Sequence, residues 1–290
     1  MLAAAARAVR PLNESAADVS AFALGQMNPD GGFKGRSGAS DLYYTVFGIE
    51  ALLALGAKFE TAPVFNYLQG FAEGRSLDLV HLACLARCRA NMVDAAAEPA
   101  ALNGAIARRL ELYRCRDGGY SNAMGAERGT TYGCFLALGA YQDLGLSLPD
   151  AAGLMACIRS LERPDGAYAN DATIATGATP ATAAAVTTLH YLGQPPSRES
   201  AQWLLSRSRA TGGFLATPTA PIPDLLSTAT AIHALALTGA TLDTVREPTV
   251  EFIDSLWSTE GAFAGNWLDE ALDCEYTYYA LLALGHLNED

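Results

Sequence analysis

Lysine is nearly absent from this chain, which contains only Lys34 and Lys58, and its 19 basic residues face 31 acidic ones. The resulting net charge of −12 argues against nucleic acid or an anionic membrane as a partner. No apolar run approaches the roughly 18 residues that cross a bilayer, so we expect no membrane span. The spacing of the six cysteines matches neither a zinc site nor a disulfide framework. We expect them to pack as small apolar side chains, and we expect the protein to be in a reducing cytoplasm.

Alternation of apolar and polar residues, the sign of β-strands, is also missing, and we predict no strand. Residues 1–14 are expected to be an N-terminal extension with a short helix. Apolar periodicity, caps and Gly or Pro stops predict the longer helices. The predicted helices span Ser15–Gln26, Asp41–Leu55, Leu77–Cys88, Ala100–Tyr113, Thr130–Leu144, Ala151–Leu161, Ala181–Leu192, Glu199–Arg207, Leu226–Leu237, Pro248–Trp257 and Asp273–Leu287.

A short unit recurs along the chain. A glycine-containing turn that ends in an aromatic residue precedes an apolar helix, first at Asp30-Gly31-Gly32-Phe33. Its aromatic residue returns as Tyr120, Tyr168, Phe214 and Phe263. Aligned leucines place a threonine in each following helix, at Thr45, Thr131, Thr182, Thr228 and Thr277. Four residues earlier the column reads Asp41, Glu127, Ala178, Asp224 and Asp273.

With a weaker unit around Leu77 to His81, six units repeat at about 40 to 50 residues, which is typical of a repeat architecture. We therefore predict one all-α domain over residues 1–290, an α6/α6 barrel of six helix–turn–helix repeats. The second helix of each pair is apolar around its girth and should form the inner layer. The N-termini of the inner helices would gather on one rim, where partial positive charge favours an anion such as a diphosphate.

These repeats resemble those of the protein prenyltransferase β subunits and, more distantly, the squalene and terpene cyclases. The segments that carry the resemblance are Gly32-Phe33-Lys34-Gly35-Arg36, Asp41-Leu42-Tyr43-Tyr44-Thr45 and Asp224-Leu225-Leu226-Ser227-Thr228. The resemblance implies a toroid whose aromatic-lined central cavity holds an isoprenoid.

The zinc site of the prenyltransferases is incomplete here. The resemblance implies an Asp-x-Cys at the start of one inner helix and a His in the next repeat. Asp224 matches the aspartate, but Leu226 and Tyr276 stand where the cysteine and histidine should be. We therefore predict no metal ligand, do not expect zinc, and leave Mg²⁺ open.

Arginines and tyrosines are the predicted substrate-binding residues. The resemblance implies that Arg36, in the Gly-Phe-x-Gly-Arg turn, or Arg128, in Glu127-Arg128-Gly129, holds a prenyl diphosphate. Four tyrosines near the starts of inner helices should line the cavity, where an aromatic wall suits an isoprenoid and stabilises a carbocation. They are Tyr43, Tyr44, Tyr276 and Tyr279.

The cyclases carry an Asp-x-Asp-Asp-Thr motif whose middle acid protonates an alkene. The last repeat reads Asp273-Cys274-Glu275-Tyr276-Thr277, which places Glu275 at that position. Burial and like charge would raise the pKa of this carboxyl, as a general acid requires. The predicted catalytic acids are Asp41, Asp224, Asp273 and Glu275.

We expect an isoprenoid-handling enzyme, cytoplasmic and without the zinc site, that binds a prenyl diphosphate or polyprenyl lipid. Prenyl transfer and proton-initiated cyclisation by Glu275 both stay open. An alternative is a non-catalytic isoprenoid- or protein-binding scaffold, and the resemblance implies a helical-repeat partner subunit. A further alternative is zinc-dependent transfer through Cys274 and Asp273.

Overall fold

The computed structural model describes residues 1–92, 100–195 and 197–288. In these residues the helices are α1 Leu2–Ala5, α2 Val9–Leu12, α3 Ser15–Gly25, α4 Leu42–Ala54, α5 Thr61–Gln69, α6 Leu79–Met92, α7 Ala100–Leu110, α8 Thr131–Asp143, α9 Ala151–Ser160, α10 Thr179–Tyr191, α11 Arg198–Leu205, α12 Leu225–Thr238, α13 Asp243–Asp254 and α14 Cys274–Leu287. Two 3₁₀ helices span Ala6–Ala8 and Glu111–Tyr113. Three strands, β1 Trp257–Ser258, β2 Ala262–Asn266 and β3 Asp269–Leu272, form a small antiparallel sheet.

The helices form a two-layered ring. In the inner layer α4, α6, α8, α10, α12 and α14 each pack against the next, and α14 packs against α4 to close the ring. The outer helices α3, α5, α7, α9, α11 and α13 each pack on an inner helix. The predicted helical toroid is therefore observed, with its core between the two layers.

Burial follows the composition of each layer. Every residue of α14 from Thr277 to Leu287 is buried, as expected of a helix that is apolar all round. The outer helix α11 instead buries one stripe, Ser200, Trp203 and Leu204, at helical spacing. This difference keeps α14 inside the ring and α11 at its surface.

The turn glycines join each unit to the next. Gly31, Gly118, Gly166, Gly212 and Gly261 all have φ between 82° and 91°, a conformation that favours glycine. A Cβ on Gly212 would lie 1.9 Å from the Pro248 carbonyl oxygen in α13. A Cβ on Gly261 would lie 2.3 Å from the carbonyl oxygen of Asp18 in α3. Because α3 opens the ring and Gly261 lies in its last turn, this contact joins the two ends of the array.

Four of the five recurring threonines, all except Thr131, tie a turn to its inner helix. The hydroxyl of Thr45 accepts a hydrogen bond from the Phe33 N–H at 3.0 Å and donates to the Asp41 carbonyl oxygen at 2.7 Å. Thr182 and Thr228 accept in the same way from the N–H groups of Tyr168 and Phe214 at 2.9 Å. Each of these four threonines therefore satisfies a buried amide of the turn.

Thr228→Val is expected to lower the free energy of unfolding by about 1–3 kcal/mol, because the isosteric methyl group leaves the buried Phe214 N–H without its acceptor. Urea titration followed by circular dichroism measures the change. The matched control is Thr230→Val, whose hydroxyl donates within α12 to the Leu226 and Ser227 carbonyl oxygens and accepts from no turn amide in the described residues. Equal losses in the two variants would contradict this role for Thr228.

Three parts of the sequence prediction were wrong. Helix α5 was not predicted, and strands were predicted to be absent although β1 to β3 form between Trp257 and Leu272. In the second strong unit, the side chain of Thr130 caps α8 by accepting from the Gly133 N–H, so the alignment that placed Glu127 in the column of acids is displaced by three residues. Threonine is a good N-cap, and the search for an acid passed over it.

The N-terminal segment packs onto the ring. Ala4, Ala5 and Ala8 are buried, and α1 contacts both α4 and α14. A Cβ on Gly285 would lie 1.8 Å from the Ala4 carbonyl oxygen, so glycine in α14 permits this approach.

All six cysteines are buried and free. Among the described residues, no helix is both long and apolar enough to cross a membrane.

Candidate functional site

The acids at the rim cap the inner helices. Asp41 accepts a hydrogen bond from the Tyr43 N–H at 2.7 Å, Asp224 from the Ser227 N–H at 2.7 Å and Asp273 from the Tyr276 N–H at 2.9 Å. Such caps satisfy amides that a helix leaves free and complement its dipole. The structure therefore gives all three acids a capping role, and none of them is among the residues that line the central cavity.

The second residue of α14 is Glu275, and its carboxylate meets the second residue of α4. The Tyr43 hydroxyl donates to Glu275 Oε1 at 2.6 Å. Because equivalent positions of two neighbouring helices meet, α4 and α14 run parallel, with their N-termini on the same rim. Burial raises the pKa of Glu275, while the hydrogen bond from Tyr43 opposes the rise and the Asp273 carboxylate adds to it. The carboxyl group therefore keeps its proton to a higher pH than a free glutamate.

Arg36 lies beside this pair on the rim. Its guanidinium is 3.1 Å from Asp269 Oδ2 and 3.4 Å from Asp273 Oδ2, and it lies over the Tyr276 ring at 5.6 Å. Tyr44 is a further hydrogen-bonding neighbour. The arginine side chain remains 47% exposed. The Arg36 guanidinium is thus a single cation among several acidic side chains at this rim of the ring.

The centre of the ring holds a cavity with two adjoining lobes. Lobe 1 has a volume of about 180 Å³ and lies among α4, α6, α8 and α14. Lobe 2 has a volume of about 440 Å³ and lies among α8, α10, α12 and α14. Both lobes share the same wall, formed by Met1, Tyr43, Tyr132, Phe135 and Tyr279. Four of these five residues are aromatic, so an apolar chain entering either lobe meets aromatic faces.

A buried histidine pair stands beside lobe 2. His233 lines the lobe, and its Nδ1 is 2.9 Å from His286 Nε2. Arg7 donates towards His286 Nδ1 at 3.4 Å, so His286 carries its proton on Nε2 and donates to His233. Burial lowers the pKa of His233 to about 3 and that of His286 to about 4. The pair is therefore neutral near pH 7 and adds no charge to this wall.

Most of the predicted site residues come together at the N-termini of α4 and α14. They are Arg36, Tyr43, Tyr44, Asp273, Glu275, Tyr276 and Tyr279. Arg128 differs, because it is exposed in the loop before α8, away from this group.

The sequence analysis missed part of the wall. Tyr132 is the second residue of α8, the position that Tyr43 and Glu275 occupy in their helices. The displaced alignment of this repeat hid that equivalence, and with it Phe135 one turn further on. A search for N-caps of any type, instead of acids alone, would have found both residues.

Metal ligands are not grouped in the part of the chain that the structure describes, where no three His, Cys, Asp or Glu side chains are placed to hold an ion. Cys274 is buried beside Asp273, and burial raises the pKa of its thiol. The Asp273 carboxylate already pairs with Arg36 and accepts from the Tyr276 N–H. A zinc site needs at least three protein ligands, and Cys274 and Asp273 have no third ligand beside them in the described residues, so they do not fit the zinc site considered for them.

The chain matches the family model of the prenyltransferase alpha-alpha toroid domain over residues 4–76, 89–195 and 182–289. No curated protein matches it significantly in sequence.

Several solved structures share the fold. A variant of the type II terpene cyclase MstE from Scytonema, in complex with its substrate geranylgeranyl dihydroxybenzoate, superposes with a TM-score of 0.66 at 14% identity over 97% of both chains. A protein from Actinoplanes gives 0.62 at 16% identity, over 94% of this chain and 98% of the other. Candida albicans protein geranylgeranyltransferase-I complexed with GGPP gives 0.57 at 14% identity, over 83% of this chain and 82% of the other.

Proposed function

Since this chain belongs to the prenyltransferase alpha-alpha toroid family, we propose that it is an isoprenoid-handling enzyme that binds a neutral isoprenoid chain in its central cavity and cyclises it after protonation by Glu275. The observation that carries the proposal is the hydrogen bond that Glu275, at the rim, accepts from Tyr43, a residue that lines both lobes of the aromatic-walled cavity. The ring is proposed to consist of six helix–turn–helix repeats, which the contacts between successive inner helices support.

The cavity suits the chain of an isoprenoid. Lobe 2 is lined largely by alanine, leucine and aromatic side chains. An apolar ligand can therefore move from water into this lobe while few polar groups of the protein lose their hydration. Tyr279 is buried and lies 5.5 Å from the Phe47 ring, which makes a continuous aromatic surface with Tyr43 below the rim. The ring faces stabilise positive charge that develops along the chain.

Glu275 supplies the proton in this proposal. Its O–H bond breaks as a C–H bond forms at one carbon of the terminal alkene, and the other carbon becomes a tertiary cation. Neighbouring double bonds attack that cation to close rings, and loss of a proton from carbon ends the sequence. The product is an isomer of the substrate, so neither a metal nor a leaving diphosphate takes part in the atom balance. The raised pKa of Glu275 favours the protonated form that starts the reaction.

The charges at the mouth favour a neutral ligand over a diphosphate. Arg36 is already paired with the carboxylates of Asp269 and Asp273. A diphosphate would have to compete with these carboxylates for one guanidinium.

A second candidate function is binding of a prenyl diphosphate, and the exposed position of Arg36 at the rim favours it. In that case Arg36→Ala lowers the affinity for geranylgeranyl diphosphate and leaves that for geranylgeraniol unchanged.

The test is native mass spectrometry of the purified protein with geranylgeraniol, geranylgeranyl dihydroxybenzoate and geranylgeranyl diphosphate, with product analysis by gas or liquid chromatography. We expect one-to-one binding of a neutral ligand and a product of unchanged mass. Geranylgeranyl dihydroxybenzoate is included because the MstE complex contains it as substrate. Absence of binding for all three compounds would overturn the proposal, and diphosphate binding alone would favour the second candidate.

A further inference from the structure

The end of lobe 1 remote from the rim contains charged side chains in an otherwise apolar cavity. Arg87 Nε donates to Asp143 Oδ2 at 2.6 Å, and one terminal nitrogen of Arg87 donates to Glu50 Oε1 at 3.1 Å. Asn91 donates to the same Glu50 oxygen at 3.1 Å. All three charged residues line the lobe. Charges are costly to bury, and apolar side chains would fill this space at a lower cost. We therefore looked for a binding role of the cluster.

The cluster has hydrogen-bond donors left for a ligand. The Tyr278 hydroxyl is buried beside the Glu50 carboxylate, and its residue is 1% exposed. Within the described part of the chain it makes no hydrogen bond of good geometry. The Arg87 side chain is 30% exposed, whereas Glu50 is 3% exposed, so the guanidinium is the more accessible member. The two ion pairs use Nε and one terminal nitrogen of Arg87, which leaves the other terminal nitrogen for a ligand.

The charge balance of the cluster sets the kind of ligand. Two carboxylates, Glu50 and Asp143, face one guanidinium. The amino group of Met1, which also lines the lobe near Glu50, carries less positive charge than a free terminus because burial lowers its pKa, so a further anion would be repelled. A hydroxyl group can accept from Arg87 or Tyr278 and donate to a carboxylate oxygen at the same time. An uncharged oxygen therefore fits where a carboxylate or phosphate does not.

The cluster and Glu275 lie at opposite ends of the cavity. Tyr43, the partner of Glu275, and Glu50 are both on α4 and are seven residues apart, which is about 10 Å along the helix axis. The volume of lobe 1, about 180 Å³, is close to the roughly 150 Å³ of an apolar protein cavity that accommodates benzene. Lobe 1 thus has room for a head group of about one ring, while lobe 2 has room for a longer chain.

We propose that lobe 1 binds an uncharged, hydroxyl-bearing head group, an alcohol or a phenol, of an isoprenoid whose chain occupies lobe 2, with Tyr278 and Arg87 as the hydrogen-bond donors. This inference rests on the proposed function and names the substrate class: an oxygenated isoprenoid, neither a pure hydrocarbon nor an anion. It also sets the orientation, because a head group held here directs the far end of the chain towards Glu275.

Affinities of three ligands with the same C20 isoprenoid chain test the inference. The ligands are geranylgeraniol, geranylgeranoic acid and the hydrocarbon with a methyl group in place of the hydroxymethyl group, titrated by native mass spectrometry. We expect the alcohol to bind about tenfold more tightly than either of the others, since hydrogen bonds in a buried site contribute on this order. In Tyr278→Phe the alcohol should lose about three- to tenfold in affinity and the hydrocarbon should not change.

Tyr113→Phe is the matched control, because its hydroxyl donates to the Leu77 carbonyl oxygen and Tyr113 is not among the residues that line lobe 1. All three affinities should stay the same in that variant. Glu50→Gln gives a second, opposite test. The amide keeps an oxygen for Arg87 but removes one negative charge, so the acid should bind about tenfold more tightly than it does to the unmodified protein.

The outcomes distinguish a wrong head-group assignment from a wrong proposed function. Equal affinities for alcohol and hydrocarbon, or the same loss for both in Tyr278→Phe, would overturn the head-group assignment and leave the isoprenoid cavity standing. No binding of any of the three would overturn the proposed function itself. Tighter binding of the acid than of the alcohol in the unmodified protein would also contradict the assignment.

Discussion

Replacing Glu275 by glutamine is expected to lower the rate of proton-initiated cyclisation by about 10²–10⁴-fold, the usual contribution of a positioned general acid. The amide has nearly the same size and can still accept a hydrogen bond from Tyr43, so the affinity for the isoprenoid should change by less than about threefold. Single-turnover product formation measures the rate, and native mass spectrometry measures binding.

The matched control is Asp78→Asn. Asp78 also stands at the start of an inner helix, where it accepts from the His81 N–H at 2.9 Å, and asparagine caps a helix about as well as aspartate. A normal rate in this control together with an inactive Glu275→Gln protein would assign the proton to Glu275. Undiminished turnover in Glu275→Gln would remove the acid role.

The pH dependence adds a test with a definite sign. The protonated carboxyl is the active form, so the rate is present below the pKa of Glu275 and falls as the pH rises through it. The hydrogen bond from Tyr43 lowers that pKa, and Tyr43→Phe removes it. The alkaline limb of the pH–rate profile should therefore move to higher pH in Tyr43→Phe, whereas a move to lower pH would contradict the pairing.

The largest loss of stability is expected for Arg87→Met, at about 3–5 kcal/mol, because it leaves the buried Glu50 without its partner. The comparison variant is Arg116→Met, which removes an ion pair with Glu127 between side chains that are 82% and 68% exposed, and it should cost less than about 1 kcal/mol. Urea unfolding followed by circular dichroism gives both values.

A double variant checks the cause of that loss. Glu50→Gln combined with Arg87→Met removes the stranded charge and should recover part of the stability. If the double variant is no more stable than Arg87→Met alone, lost packing of the arginine stem would be the better explanation.

The repeat made most of the fold predictable from the sequence. The turn glycine has a positive φ, and the threonine accepts from a buried amide of the turn, so the backbone conformation requires both residue types. They therefore recur in most units at fixed spacing, and aligning them identified the inner helices. The same alignment brought Tyr43 and Glu275 to equivalent positions of α4 and α14, which are neighbours in the ring. The suspected family is confirmed by the match of its model along the chain.

The features that the sequence did not reveal depend on contacts between units. The cap at Thr130 satisfies the same amide as an aspartate would, so an alignment based on acids misplaced α8 and hid Tyr132. The ion pair between Glu50 and Arg87 joins α4 to α6, and neither residue shows its partner in its own segment. Strand β1 has only two residues, too few for a period-two pattern.

The contact of Gly261 with Asp18 closes the array of repeats into a ring, so that no repeat is at an end of the array. In an open solenoid the terminal repeats have one neighbour each and fray first, which is why such proteins need capping units. Here each unit is held on both sides, and the last interface forms only when the first and last segments meet across more than two hundred residues. We therefore infer that the protein loses its structure in one cooperative step, and that moving the chain ends to another turn would preserve the ring.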